Sequence, residues 1–289
     1  MKVKKAVIPA AGLGTRVLPA TKAIPKEMLT IVDKPSIQYI VEEAVAAGIT
    51  DILIITNRGK AAMEDHFDRS PELEERLLAG KKTELYNSVL DTAKMANIFF
   101  VRQKETKGLG HAISCARGFV GDEPFAVLYG DDVVIGDTPA IGELCAAYEK
   151  YGKGVAGIKQ VSREAIKKYC SLEVSPLGEK TFAVSDMVEK PTDDRIMSLY
   201  SILGRCVLTP AIFDVLDNTP PGAGGEIQLT DAMRVLAKRD GMIGVDFSGK
   251  RYDIGNKLGY LEAIIEIGVK HPELGTDFIN YLKTFVKSL

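Results

Sequence analysis

Four short apolar runs constrain the fold before anything else does: "KAVIPA" from residue 5, "DILIIT" from 51, "IFFVR" from 98 and "FAVLYGDD" from 125. Each is continuous rather than alternating, the pattern of a strand covered on both faces. Helix-length segments separate them. "KPSIQYIVEEAVAAG" has Pro35 where a first helical position tolerates it and Gly48 where a helix would stop. "GHAISCARGFV" is compatible with a second helix. This alternation predicts an α/β fold, a Rossmann-like mixed and mostly parallel sheet with helices on both faces.

Residues 63–97 break the rhythm. "SPELEERLLAG" opens with Ser70 as an N-cap, then Pro71 and glutamates near the positive helix end, which predicts a helical insertion over the sheet. From about residue 154, "GVAGIKQV", "CSLEVSP", "FAVSDMVEKP" and "SILGRCVLTP" read as strands, and "EIQLTDAMRVLAKRDG" and "KLGYLEAIIEIGVKH" as helices. With no repeat, low-complexity tract or Ser/Gly linker, residues 1–289 read as a single domain. Its embellishments are the insertion at about 63–97 and a C-terminal helical segment at about 257–289.

Composition removes several classes of function. A net charge of −2 with both signs interspersed leaves no basic stripe for nucleic acid. Four cysteines without a CxxC pair and only three histidines argue against a zinc site or a disulfide framework, and point to a reducing, cytoplasmic setting. "MKVKKAVIPAAGLG" imitates a leader peptide, but its apolar run stops at Pro9 and Arg16 follows closely, so it reads as a first strand. No stretch approaches ~18 consecutive apolar residues, and no membrane span is expected.

The first strand runs into "AAGLGTRVLPATKAIPKEML". A P-loop would need GxxxxGK[ST], which the chain lacks. A dinucleotide fingerprint would run straight into a helix, which Pro19 and Pro25 forbid, and would end the second strand on an acid rather than on Thr56-Asn57. Two readings stay open: a turn that happens to be basic, or an extended loop around a nucleoside triphosphate. In the second, Gly12 and Gly14 bring backbone N–H groups close to phosphate, and Arg16 and Lys26 add charge-assisted contacts.

"AAGLGTR" followed by "LPATKAIPKEML" resembles the sugar-1-phosphate nucleotidyltransferases, and among them the bacterial uridylyltransferases that act on glucose 1-phosphate. The resemblance continues in order through "DKPSIQYIVEEA", "ILIITNRGK", "VRQKETKGLGHAI", "GDD", "VEKP", "GRCVLTP", "GGEIQLTDA" and "KRYDIGNKLGYLEA", nearly the whole chain. It implies a fold of the nucleotide-diphospho-sugar transferase type. The implied reaction consumes UTP and glucose 1-phosphate, yields UDP-glucose and pyrophosphate, and depends on Mg²⁺. It also implies a homodimer or homotetramer.

Carried over residue by residue, the resemblance makes Arg16, Lys26 and Lys190 catalytic. Ala10, Ala11, Gly12, Gly14, Thr15, Gln103, Gly108 and Asp131 would bind the nucleotide, with Gln103 and Gly108 on uracil. Glu189, Lys190, Gly204 and the backbone at Cys170 would meet the sugar phosphate, and Asp131 and Asp253 would hold Mg²⁺. Asp132 reads as a turn or supporting residue, and His111 has no identifiable partner. Glu226 and Asp231 read equally well as capping acids. Two departures bear on the sugar. Cys170 stands where the family commonly has Gly, and Cys206 where it usually has an aromatic. The side chain of Cys170 would either narrow the hexose pocket or point away from it. The same chemistry with dTTP or another hexose 1-phosphate, and a non-catalytic sugar-nucleotide regulator, are the competing functions.

Overall fold

The computed structural model describes residues 1–289. Strand β1 (Lys5–Pro9) feeds the glycine loop, which winds through short 3-10 turns rather than an α-helix, as its prolines require. A two-residue ladder, β2 (Thr30–Ile31) with β3 (Lys34–Pro35), precedes α1 (Ser36–Ala46) and β4 (Asp51–Thr56). Then come α2 (Ala61–Phe67), α3 (Pro71–Ala79) and α4 (Thr83–Lys94), followed by β5 (Asn97–Arg102). Helices α5 (Leu109–Ser114) and α6 (Arg117–Val120) lead to β6 (Phe125–Leu128) and β7 (Asp132–Ile135). The middle of the chain adds α7 (Ala140–Tyr151), β8 (Val155–Gln160), α8 (Arg163–Ile166), the hairpin β9 (Cys170–Pro176) and β10 (Thr181–Glu189), and β11 (Tyr200–Leu208). The last elements are α9 (Ala211–Asp217), α10 (Leu229–Asp240), β12 (Met242–Asp246), β13 (Lys250–Asp253), α11 (Lys257–Gly268) and α12 (Gly275–Val286).

The main sheet has the order β5-β4-β1-β6-β11-β8-β12-β10-β9. Only β11 and β10 run against the other strands, so the sheet is mixed with a common direction. Alternate residues of β1 separate the two cores. Ala6 and Ile8 face α1, α7 and α11, whereas Val7 faces α5, α9 and α10. Both layers are mostly apolar, which is why the inner strands read as unbroken hydrophobic runs, whereas the edge strand β5 buries none of its residues. By contrast, α4 fully buries none of its residues and α3 buries only Glu74, which Arg69 holds. Ser70 occupies the N-cap position of α3, but its hydroxyl makes no cap bond; its N–H donates to Glu74 Oε1 at 3.2 Å instead. No helix is long and apolar enough to cross a membrane.

Chain order reverses between β1 and β6: β1 is followed in space by β4 and β5 on one side, and the chain then crosses back to β6 on the other. Such a switch point leaves a crevice beyond the carboxyl ends of the two strands. A second ladder sits at its rim, where β7 pairs antiparallel with β13 and sets Asp253 opposite Asp132.

Candidate active site

A cavity of about 400 Å³ occupies this crevice, lined by Ala11, Gly12, Thr15, Lys26, Gly108 and Asp131 among others. Its floor is backbone. The Ala10 carbonyl accepts from Lys60 Nζ and the Ala11 carbonyl from Asn57 Nδ2, both donors lying just past β4. With their carbonyls held from behind, Ala10 and Ala11 are fixed at the mouth of the loop. Gly14 has φ +68°, and a Cβ there would meet Thr21 at 3.2 Å, so both conformation and space call for glycine. Lys60 also pairs with Glu27 at 2.7 Å, and both are buried. Burial pushes the Glu27 pKa up and the Lys60 pKa down, against the pull of the pair itself.

At the rim, three acids meet three bases. Lys26 Nζ lies 2.6 Å from Asp131 Oδ2, and Arg16 lies 3.3 Å from Asp131 and 3.6 Å from Asp253. Arg251 reaches Asp132 at 2.5 Å and Asp253 at 3.9 Å. The contact with Asp132 is an ion pair without hydrogen-bond geometry, since Asp132 Oδ1 and Arg251 Nε lack bonded partners. Tyr169 links the set, donating to Asp253 Oδ2 at 3.3 Å and accepting from Arg251 at 3.3 Å. Burial pushes the Asp131 carboxyl up, but Lys26, Arg16 and Arg251 outweigh it and hold the pKa below the usual range. For Asp132, burial prevails and the pKa rises to about 6. Asp132 ends the turn from Tyr129, whose carbonyl accepts from its N–H at 3.1 Å, and opens β7, where it is buried against Arg251 as a supporting residue.

A Cβ on Gly255 would lie 2.7 Å from Asp131 Oδ2, 3.0 Å from Asp253 Oδ1 and 2.5 Å from Arg16. Glycine there keeps open a cradle on which two carboxylates converge. Two hard oxygen donors suit a divalent cation that rarely takes an all-protein cage and completes its shell with ligand oxygens and water. Behind the cradle, the fully buried Arg205 donates to both oxygens of Glu43, and to the carbonyls of Asp132 at 2.9 Å and Gly204 at 3.0 Å. One guanidinium thereby fixes the acidic turn to α1.

On the other side stands Glu189, at the end of β10, where Oε2 accepts from Thr230 Oγ1 at 2.9 Å. Burial raises its pKa in spite of Thr230 and Lys190. Lys190 leaves the strand in the left-handed region at φ 44°, so the chain bends between the two and Lys190 is exposed. Gly204 packs against Asp132, whose Oδ2 would lie 2.5 Å from an added Cβ, and its carbonyl already accepts from Tyr129 and Arg205. Cys170 turns its thiol into the core, where Sγ accepts from the Ile202 N–H at 3.3 Å, and its own N–H donates to Ser201 Oγ at 3.2 Å. Of the two orientations considered for that side chain, it has the one that leaves the pocket alone. Cys206 is likewise a core residue.

Gly108 has φ 101°, and a Cβ there would strike Glu226 Cβ and Ile227 O at 2.7 Å. The "GGEIQ" segment thus crosses over "KGLG", held by Gly110 N–H to Ile227 O and Ile227 N–H to Lys107 O, each 2.8 Å. Glu226 lines the cavity as a result, whereas α10 has no side-chain cap from it or from Asp231. Gln103 and His111 stand behind Gly108. The residues that sequence reasoning missed are Asn57, Lys60, Tyr129, Tyr169, Arg251 and Gly255. The signals available for them were a lysine in "NRGK" after a strand and an arginine in "KRYD" before an acid.

The family model for Nucleotidyl transferase matches residues 5–268. UTP–glucose-1-phosphate uridylyltransferase 2 of Staphylococcus saprophyticus is 52% identical over 282 residues, covering 98% of both chains. A UDP-glucose pyrophosphorylase solved with UDP-glucose is 44% identical, with a TM-score of 0.85 over 93% of this chain and 100% of that one. UTP-bound UGPase from Acinetobacter baumannii is 38% identical, with a TM-score of 0.90 over 97% and 98%. With its glycine loop, its paired aspartates and these matches along almost its full length, the chain belongs to the nucleotidyl transferase family.

Proposed function

We propose that the chain transfers a uridylyl group from UTP to α-D-glucose 1-phosphate, forming UDP-glucose and releasing pyrophosphate. The observation that carries this reading is the convergence of Asp131 and Asp253 with Lys26 and Arg16 at the mouth of the glycine loop. The names of its relatives, at about half identity over nearly the whole chain, support the choice of substrates.

In this reaction a phosphate oxygen of the sugar phosphate attacks the α-phosphorus of UTP, and the bond to the bridging oxygen of pyrophosphate breaks. No proton has to move and no protein nucleophile is needed, so alignment and charge neutralisation are what the protein contributes. The loop backbone at Ala10, Ala11, Gly12, Gly14 and Thr15 cradles the phosphates. Lys26 and Arg16 offset charge that shifts towards the departing pyrophosphate. Asp131 and Asp253 are the residues to hold Mg²⁺, which supplies charge neutralisation at the phosphate oxygens. Gln103 and Gly108 read uracil, Glu189 accepts from sugar hydroxyls, and Lys190 holds the sugar phosphate. Gly204 and Cys170 support that wall through the backbone.

The four cysteines are free, which suits a cytoplasmic enzyme. Partly exposed apolar residues of α11, α12 and the turn between them, including Ile264, Leu274, Phe278 and Tyr281, make a homodimer or homotetramer the expected assembly. The deciding experiment is pyrophosphate release with UTP, dTTP and CTP, each crossed with several sugar 1-phosphates, in Mg²⁺ and after chelation. UTP with glucose 1-phosphate should give the highest kcat/KM, and chelation should abolish turnover. A better rate with another sugar phosphate would overturn the hexose assignment and leave nucleotidyl transfer standing.

A further inference from the structure

Arg251 faces two carboxylates and stands differently to each. It closes on Asp132 at 2.5 Å but stays 3.9 Å from Asp253 Oδ2, too far for a hydrogen bond. The hydroxyl of Tyr169 stands between that pair, 3.3 Å from Arg251 Nη1 and 3.3 Å from Asp253 Oδ2. A guanidinium only donates, so the hydroxyl accepts from Arg251 and its own hydrogen goes to Asp253. The other Asp253 oxygen accepts from the Gly255 N–H at 3.0 Å. Each oxygen of Asp253 thus has one neutral donor, while the guanidinium beside it is held off. Two further contacts fix Tyr169 itself. The Arg251 guanidinium lies over its ring, 5.1 Å from the centroid, and its carbonyl accepts from the Lys190 N–H at 2.7 Å.

We propose that Tyr169 is a positioning residue, a neutral spacer that keeps Arg251 off Asp253 and so preserves the Asp253 charge for a divalent cation. A bidentate arginine on the same carboxylate would orient it equally well. It would also take up the lone pairs that a cation needs and set a positive charge beside it. A hydroxyl orients the oxygen and adds no charge, the usual task of a group behind a metal ligand. Without that hydroxyl, Arg251 can close on Asp253 as it does on Asp132. The metal side of the site is then weakened although both of its carboxylates are intact. The sugar side is not, because Lys190 is held by the Tyr169 carbonyl, which any residue at that position supplies.

This inference rests on the reading that Asp131 and Asp253 hold a divalent cation beside a uridine nucleotide, and its test separates the two. Mn²⁺ binding is followed through the EPR signal of the free ion in the presence of UDP-glucose, with the same titration lacking protein subtracted. Wild type, Tyr169→Phe, Arg251→Gln and the double variant are compared. KM for glucose 1-phosphate at saturating UTP and Mg²⁺ is measured for wild type and Tyr169→Phe. Tyr169→Phe should bind Mn²⁺ about tenfold more weakly, the usual loss when a partner behind a metal ligand is removed, and should keep the wild-type KM. In the Arg251→Gln background the same change should alter Mn²⁺ affinity by less than about twofold, because the cation it would release is gone. Unchanged Mn²⁺ affinity in Tyr169→Phe, or a loss that persists in full without Arg251, overturns the spacer role. Weaker Mn²⁺ binding accompanied by a raised KM overturns it too, since a general loosening of the turn before β9 would produce both. If Arg251→Gln does not fold, because Asp132 loses its cation, weaker Mn²⁺ binding by Tyr169→Phe at unchanged KM upholds the proposal. A wild type that binds no Mn²⁺ beyond the share of UDP-glucose itself would instead defeat the metal assignment.

Discussion

The glycine loop and the strand end carrying Glu189 and Lys190 flank one crevice, and they are held in different ways. The loop is positioned through its backbone. Lys60 and Asn57 grip the carbonyls of Ala10 and Ala11, and Gly14 takes a left-handed conformation that leaves no choice of side chain. The opposite wall is positioned through side chains from distant elements: Thr230 of α10 holds Glu189, and Lys190 projects alone from a left-handed residue. A wall built on backbone can bind phosphate whatever its side chains become. One built on side chains can change its ligand by single substitutions. On the proposed roles, the nucleotide half is the fixed part of this enzyme and the sugar half the adjustable one.

Breaking the backbone side should have the larger effects. Lys60→Met would leave the Glu27 carboxylate buried without its cation and release the Ala10 carbonyl. The expected cost is about 3–5 kcal/mol of stability, the usual result of orphaning a buried charge, read by denaturant unfolding. Adding Glu27→Leu should recover much of it, because removing both partners removes the penalty. If Lys60→Met is as stable as wild type, the pair does not support the loop. Lys26→Ala should come next, with turnover lower by on the order of 10²–10³ and folding unaffected, as for one preorganised electrostatic group. Near-normal turnover in that variant would remove Lys26 from the chemistry.

How much of this was legible in the sequence follows the same division. Strands β1, β4 and β6 were readable because burial on both faces makes each an unbroken apolar run; β5 is an edge strand that buries none of its residues, with Phe99 exposed, so its apolar run located a strand but overstated its burial. The loop was readable because backbone demands leave glycine and proline in place. The β7–β13 ladder was not, since "DVVI" and "KRYD" are short and mixed, yet it is what brings Asp253 to Asp131. Residue Asp253 was named only through the resemblance. Arg205 and Glu43 lie 162 residues apart with no local pattern joining them, although an arginine inside the apolar strand "SILGRCVL" was a visible oddity. Gly108 was read as a nucleotide contact, and Gly110 was not singled out. Their nearest reason for being glycine is the Ile227 carbonyl, and a crossing of two loops leaves no periodic trace.

On the adjustable wall, Glu189→Ala should mainly raise KM for glucose 1-phosphate. Charge-assisted bonds to hydroxyls contribute ~1.5–3 kcal/mol each, so the rise should be about ten- to a hundredfold with turnover less affected. Thr230→Val, which removes the hydroxyl that donates to Glu189 Oε2, should move KM in the same direction by a smaller factor, about threefold to tenfold. Steady-state kinetics with the sugar phosphate varied at saturating UTP distinguishes the two. A fall in turnover with unchanged KM in Glu189→Ala would mean that the carboxylate acts on the transition state rather than on the bound sugar.

The smallest effect should come from the residue that looked most consequential in the sequence. Cys170 departs from the family's glycine beside the proposed sugar wall, where one of the two orientations open to its side chain would crowd a hexose. Its thiol instead lies in the core between β9 and β11, accepting from the Ile202 N–H, and burial pushes it up to about 11. Restoring glycine would delete that packing and loosen a strand, at a cost of roughly 1 kcal/mol in stability. It would open no space towards the ligand. Cys170→Gly should accordingly melt slightly earlier and keep the wild-type ranking of hexose 1-phosphates, each kcat/KM ratio staying within about threefold. A broadened ranking would show that strand β9 transmits core packing to the sugar. The two walls would then be less separate than their hydrogen bonds indicate, and hexose choice would depend on the core as well as on the residues lining the site.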